Sequence, residues 1–74
     1  MKITIESTTK IVNASGVDCR VWEGATETGV KVQCLIPRIA ALAGEDLSQF
    51  EAELQEQRPP SIDMEQAFPA RLIL

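Results

Sequence analysis

A chain of 74 residues is long enough for one small domain, and 45% hydrophobic with 24% charged residues is the composition of a folded protein rather than a disordered one. The net charge of -4 argues against a general nucleic-acid binder, which neutralises phosphates with a basic patch. The sequence has no apolar run of about 18 residues for a membrane span, and the first residues lack the apolar core of a secretory signal. We therefore expect a soluble, cytoplasmic protein whose single domain covers 1–74.

Three strands are predicted in the first half of the chain. Apolar and polar side chains alternate along residues 2–12, which is the period of a half-buried strand. The sequence NASG then predicts a three-residue hairpin loop with Gly16 in the left-handed region. Strands at 17–24 and 29–36 follow, joined by a second hairpin.

The apolar faces of the second and third strands coincide only in certain registers. The register that we expect pairs Val21 with Val32 and Cys19 with Cys34, because a slip by one residue turns one apolar set to solvent. The cysteines are then small core residues rather than a functional pair. A zinc site is disfavoured because the chain has no His and only two Cys. A redox pair usually has CxxC spacing, and a disulfide needs an oxidising compartment.

The same register places the only Trp of the chain, Trp22, opposite Lys31 and beside Arg20 on the more polar face. A cation over an exposed indole contributes about 0.5–1 kcal/mol, and Trp is enriched at binding hot spots. Trp22, Lys31 and Arg20 are therefore the first candidate partner-binding residues. The alternative is that the C-terminal segment covers Trp22.

A helix is predicted over 46–58. Leu47, Phe50 and Leu54 form an apolar stripe at spacings of three and four residues, and two prolines follow the helix. Two capping boxes compete for its start, and these are Asp46 with Gln49 and Ser48 with Glu51.

The polar side of this helix is acidic, as is the second half of the chain. Residues 44–74 hold two Lys and Arg against seven Asp and Glu, whereas residues 1–43 hold five against four. Glu53 and Glu56 are therefore the second candidate partner-binding residues, on a ridge that docks against a basic surface. The alternative is a solvated helix face, and a carboxylate pair for hydrolysis is disfavoured because the spacing implies no pocket.

Two segments complete the predicted fold. Residues 37–44 are compatible with a helical turn or with an edge-strand continuation, since Pro37 has no amide hydrogen to donate. Residues 70–74 read as a C-terminal strand that pairs within its own sheet or with another copy. The expected fold class is α+β, with a small antiparallel sheet of a three-strand meander plus this C-terminal strand, and one amphipathic helix packed on one face.

Four segments, RVWEG, GVKVQC, FEAELQEQRPP and PARLIL, together resemble short uncharacterised proteins encoded in tailed-phage and prophage genomes. The likeness covers most of the chain. It implies the cytoplasm of a bacterial host and no assigned activity, since none of the segments is a catalytic or ligand signature.

These observations favour a non-catalytic protein–protein interaction module that binds a host protein stoichiometrically. One alternative is a structural or assembly component of a phage that forms a homo-oligomer, which suits so small a domain. Another is a small-ligand-binding protein with a pocket at a subunit interface. An enzyme is not expected, because the chain has no His, no Tyr and no glycine-rich phosphate loop. Accordingly, no catalytic, cofactor-binding or metal-ligating residue is assigned.

Overall fold

The computed structural model describes residues 1–62. It contains three strands and one helix: β1 (Ile3–Ala14), β2 (Val17–Thr26), β3 (Lys31–Ile36) and α1 (Leu47–Leu54). The strands form one antiparallel sheet in the order β1-β2-β3, so β2 is the central strand. The predicted α+β class with a three-strand meander is confirmed. The predicted strand at 70–74 lies outside the described residues.

The hairpin between β1 and β2 has a shorter loop than predicted. Ala14 pairs with Val17, which leaves only Ser15 and Gly16 in the loop. Both have positive φ, 53° and 84°, as a type I′ turn requires. The amide of Gly16 donates to Asn13 Oδ1 at 3.0 Å and stabilises this tight turn. The left-handed Gly16 is confirmed, and the three-residue loop is wrong.

The hairpin between β2 and β3 has a different register from the predicted one. Trp22 pairs with Cys34 and Ala25 with Lys31, so Cys19 does not face Cys34 and Lys31 does not face Trp22. The cause is the loop, which consists of residues 27–29 and is closed by a hydrogen bond from the amide of Thr26 to the Val30 carbonyl at 2.9 Å. Gly29 has φ of 90°, the left-handed conformation that ends a three-residue hairpin loop. Turn geometry therefore determines the register here, instead of the apolar pattern.

The sheet has two faces, because cross-strand partners share a face and neighbours along a strand alternate. The first, here the Val21 face, carries the buried hydrophobic residues of the described chain, Val21 at 1% exposure and Cys19 at 5%. Thr8 is also buried and donates through Oγ1 to the Val21 carbonyl at 2.7 Å, where the β1 register shifts. The second, here the Trp22 face, carries Trp22 with its partner Cys34.

Residues 37–44 contain neither of the two structures considered for them. No helix or strand is assigned there, and Ile39 and Leu42 are exposed, Leu42 by 78%. The segment crosses from the end of β3 to the start of α1 as an irregular connection. It leaves two large apolar side chains in contact with solvent.

Helix α1 begins after Asp46, whose Oδ1 accepts from the amide of Gln49 at 3.0 Å. This confirms the Asp46 start and not the Ser48 one. The helix ends at Leu54, four residues earlier than predicted, because the chain then turns back to the outer edge of β1. There the amide of Thr9 donates to the Arg58 carbonyl at 2.9 Å, and the amide of Arg58 donates to the Ser7 carbonyl at 3.3 Å. We refer to residues 56–58 as the strap.

Candidate functional site

A cleft of about 250 Å³ lies between the Trp22 face of the sheet and α1. All three strands, the connection after β3 and the helix surround it. The lining residues are Ser7, Arg20, Trp22, Ile36, Pro37, Arg38, Ile39, Phe50, Glu53 and Leu54. The sequence therefore brings together residues that are separated by up to 47 positions, here called the Trp22 cleft.

Trp22 occupies the centre of this arrangement because it lies in the middle of the central strand. Its neighbours across the sheet are Ser7 on β1 and Cys34 on β3. Phe50 and Leu54 approach from α1, where their spacing of four residues places them on one side of the helix. Trp22 and Phe50 are half-buried, so each has apolar surface left for contact.

Two arginines and one glutamate add charge to the apolar walls. Arg20 is half-buried, and its Nη1 donates to the Thr8 carbonyl at 2.8 Å, which fixes the guanidinium in position. Arg38 is exposed at the start of the irregular connection. Glu53 accepts through Oε1 from Gln49 Nε2 at 2.8 Å. The Trp22 cleft therefore has a net positive lining in a chain whose net charge is -4.

A second, more open depression of about 460 Å³ adjoins the first and shares Ser7, Trp22 and Glu53 with it. The residues found only in this depression are Glu6, Glu56, Gln57 and Arg58. Arg20 and Arg38 line only the Trp22 cleft, so the charge of the lining is net positive in the cleft and net negative in the adjoining depression, and Trp22 lines both. We call this second region the acidic depression.

The predicted partner-binding residues are brought together, with one exception. Arg20, Trp22 and Glu53 line the Trp22 cleft, and Glu56 lines the acidic depression beside it. Lys31 pairs with Ala25 and so belongs to the Val21 face. The predicted contact of Lys31 with Trp22 is therefore wrong, because it depended on the incorrect hairpin register.

Sequence reasoning missed Arg38 and Phe50 as parts of this site. Phe50 belongs to the predicted apolar stripe of the helix, and in the structure it is half-buried and lines the cleft. Arg38 belongs to the segment whose structure the sequence left open. The only sequence signal for Arg38 was its position directly after Pro37, which follows the last residue of β3.

An ion pair joins the buried Glu23 on the Val21 face to Arg58 of the strap, whose side chain is 39% exposed. Glu23, 3% exposed, accepts from Arg58 Nη1 at 2.6 Å and from both the amide and the hydroxyl of Ser61, the amide at 3.1 Å. Arg58 also contacts Glu6 Oε2 through Nε at 3.3 Å. Burial by itself raises the pKa of Glu23, but the hydrogen bonds from Arg58 and Ser61 outweigh it, and the pKa of Glu23 is lowered. A carboxylate held in this way suits a structural clamp better than a general base.

The two cysteines do not form a site with each other. Cys19 is buried on the Val21 face, whereas Cys34 is half-buried on the Trp22 face, and both are free thiols. The expectation of a small core residue is confirmed for Cys19, and the facing pair is wrong. Within residues 1–62 no group of three or more metal-ligating side chains is found. The same part of the chain contains no helix long and apolar enough to cross a membrane.

Comparison of the chain with known proteins supplies no relative from which a role for this site follows. Neither a protein-family model, nor a curated protein, nor a solved structure matches it. The geometry and charge of the Trp22 cleft are therefore the basis for assigning a function.

Proposed function

We propose that this chain is a non-catalytic interaction module that binds a protein partner stoichiometrically at the Trp22 cleft. One observation carries the proposal. Three residues chosen from the sequence as partner-binding candidates line the same cleft, although Arg20 and Trp22 belong to β2 and Glu53 belongs to α1. A half-buried Trp in a depression that also contains charged residues is typical of a binding hot spot.

The proposal places the protein in the cytoplasm of a bacterial host, encoded by a phage or prophage, with a host protein as its partner. This setting follows from the resemblance of the four sequence segments. We propose a non-catalytic role because the acid with a shifted pKa among the described residues, Glu23, already accepts hydrogen bonds from Arg58 and Ser61. Its carboxylate is therefore a poor candidate for a catalytic group. Occupation of a partner's surface needs no such group.

Quantitative affinity capture from host extract, followed by reconstitution with the purified partner, tests this function. Trp22→Ala and Arg38→Ala should lose a partner that the unaltered chain retains. Val17→Ala is the matched control, because Val17 is an exposed apolar residue of the first hairpin and does not line the cleft. A partner that all three variants retain equally contradicts the Trp22 cleft as the docking site.

A second candidate function, a self-assembling phage component, is supported by the exposed apolar side chains. The most exposed internal ones are Leu42, Ile62 and Leu47, and Val30 and Ile39 are also at least half exposed. Such surface is a common mark of an interface between copies. Light scattering across a dilution series in reducing buffer separates the two functions. An oligomer that persists on dilution favours self-assembly, and a monomer of 8.1 kDa favours the binding module.

A further inference from the structure

We infer that the occupant of the Trp22 cleft is a peptide segment of the partner with one large apolar side chain between an acidic residue and a basic residue. This inference rests on the proposed function and specifies the chemistry of the partner. The volume of the Trp22 cleft, its apolar walls and the opposite charges of the cleft and the acidic depression each specify one property of this segment.

Size favours an anchoring side chain over a whole small molecule. Sites for drug-sized ligands and cofactors occupy about 300–1,000 Å³, whereas the Trp22 cleft is about 250 Å³. Its walls include Trp22, Phe50 and Ile36, which offer apolar contact on several sides. Interface hot spots commonly consist of a pocket of this kind filled by one aromatic or aliphatic residue.

Charge specifies what flanks that anchor. Arg20 and Arg38 line the Trp22 cleft and not the acidic depression. Arg20 is held by the Thr8 carbonyl, so its guanidinium is preorganised to receive a carboxylate. A partner residue next to the anchor on this side is therefore Asp or Glu.

The acidic depression, which shares Trp22 with the cleft, requires the opposite charge. The acidic depression contributes Glu53, shared with the cleft, and Glu56 from the strap. The cation of this depression, Arg58, forms ion pairs with Glu23 and Glu6 and so does not neutralise Glu53 and Glu56. A Lys or Arg on this side of the anchor completes the complementarity, which determines the direction in which the segment binds.

A random peptide library displayed on yeast, selected with the full chain, provides the probe. Enriched peptides should share a large apolar residue with Asp or Glu on one side and Lys or Arg on the other. Synthetic versions without Trp are then titrated, with the fluorescence of Trp22 as the readout, since it is the only Trp of the chain. Calorimetry replaces fluorescence for variants at Trp22.

Charge reversals test the assignment of each side. Arg38→Glu should weaken binding about fivefold and, on reselection, replace the acidic flank by a basic one. Glu56→Lys should also weaken binding about fivefold and, on reselection, replace the basic flank by an acidic one. Lys2→Glu is the control for net charge and should change neither, because Lys2 is exposed and lines neither region.

The outcomes separate this inference from the proposed function. Trp22→Ala should reduce the affinity for the selected peptides about thirtyfold. If Trp22→Ala does not fold, Leu54→Gln replaces it and should have a similar effect. If these substitutions weaken binding but both charge reversals leave it unchanged, the inference is overturned and the docking site is retained. Binding that survives both cleft substitutions overturns the inference and the site together. A selection that enriches no peptide also overturns the inference.

Discussion

At the scale of single residues, Glu23 and Arg58 show how a buried charge is tolerated in so small a domain. Desolvation of a carboxylate costs several kcal/mol unless a cation and hydrogen bonds offset it. Here Arg58 and Ser61, which follow Glu23 by 35 and 38 positions, supply both. The pair connects the strap to the central strand, and it therefore helps to position the acidic depression that lies beside Trp22.

The pH dependence of stability should report this pair. Although burial raises the pKa of Glu23, the hydrogen bonds from Arg58 and Ser61 hold it below the ordinary value of a glutamate in the folded protein. Its stabilising contribution is therefore fully present above the unfolded-state pKa and is lost as pH falls through the folded-state value. Glu23→Gln should lower the free energy of unfolding at pH 7 by about 1–3 kcal/mol and flatten its decline below about pH 4.5.

Glu6→Gln is the matched control, because Glu6 contacts the same Arg58 but its side chain is 73% exposed. It should change the free energy of unfolding by no more than about 0.5 kcal/mol. Urea denaturation between pH 3 and 7 gives both quantities. Equal losses for the two variants would contradict the view that burial of Glu23 makes its pairing important.

At the scale of elements, the loop between β2 and β3 decides which side chains share the Trp22 face. A three-residue loop ending in a left-handed residue places Cys34 beside Trp22, whereas the predicted loops would place Lys31 there. Next to Trp22, this face therefore presents the thiol of Cys34 rather than the cation of Lys31. The Trp22 cleft depends on this register.

Substitution at Gly29 should test that dependence. Gly29→Val forces a β-branched residue into φ of 90° and should cost about 1–2 kcal/mol in the free energy of unfolding. Gly29→Asn should cost clearly less, because Asn tolerates the left-handed region. Thermal denaturation compares their stabilities, and cross-strand NMR contacts between Trp22 and Cys34 check the register. Equal stabilities of the two variants would show that the backbone of Gly29 does not constrain the loop.

The start of α1 gives a second test at this scale. Asp46→Ala removes the acceptor for the Gln49 amide and should lower the free energy of unfolding by about 1 kcal/mol. Ser48→Ala, within the helix, should be neutral or slightly stabilising because Ala has the higher helix propensity. Chemical denaturation measures both. A larger loss for Ser48→Ala would place the cap at the other of the two predicted starts.

At the scale of the whole molecule, burial is concentrated on one face of the sheet. Val21 is 1% exposed, whereas none of the residues of α1 is buried and Leu54 is 36% exposed. Because apolar burial is the dominant favourable term in folding, the central strand should contribute more to stability than the helix does. The helix face is then available for the function we propose.

Two truncations should separate these roles. Val21→Ala should lower the free energy of unfolding by about 2 kcal/mol, since it removes two buried methyl groups and leaves a cavity. Leu54→Ala should cost about 1 kcal/mol or less and should weaken partner binding instead. Denaturation curves give the stabilities, and titration with a selected peptide gives the affinities. If Leu54→Ala proved the more destabilising, α1 would belong to the core.

The sequence by itself determined the elements of the described chain and several of the residues that line the Trp22 cleft. Strand alternation and the left-handed Gly16 are properties of neighbouring residues, so they can be read without knowing the fold. In the same way the sequence offered Asp46 as one of two helix starts. Arg20 and Trp22 share a face simply because they are two residues apart on one strand.

Only the tertiary structure decided how these elements meet. The register of the second hairpin depends on one loop conformation among several that the residues allow, and the apolar pattern did not discriminate among them. The end of α1 at Leu54 results from the return of the strap to β1, and the partner of Glu23 lies 35 positions away in the chain. Such contacts join residues that are far apart in the sequence, so no local pattern of residues predicts them. For that reason the Trp22 cleft, with the acidic depression beside it, became visible only in three dimensions.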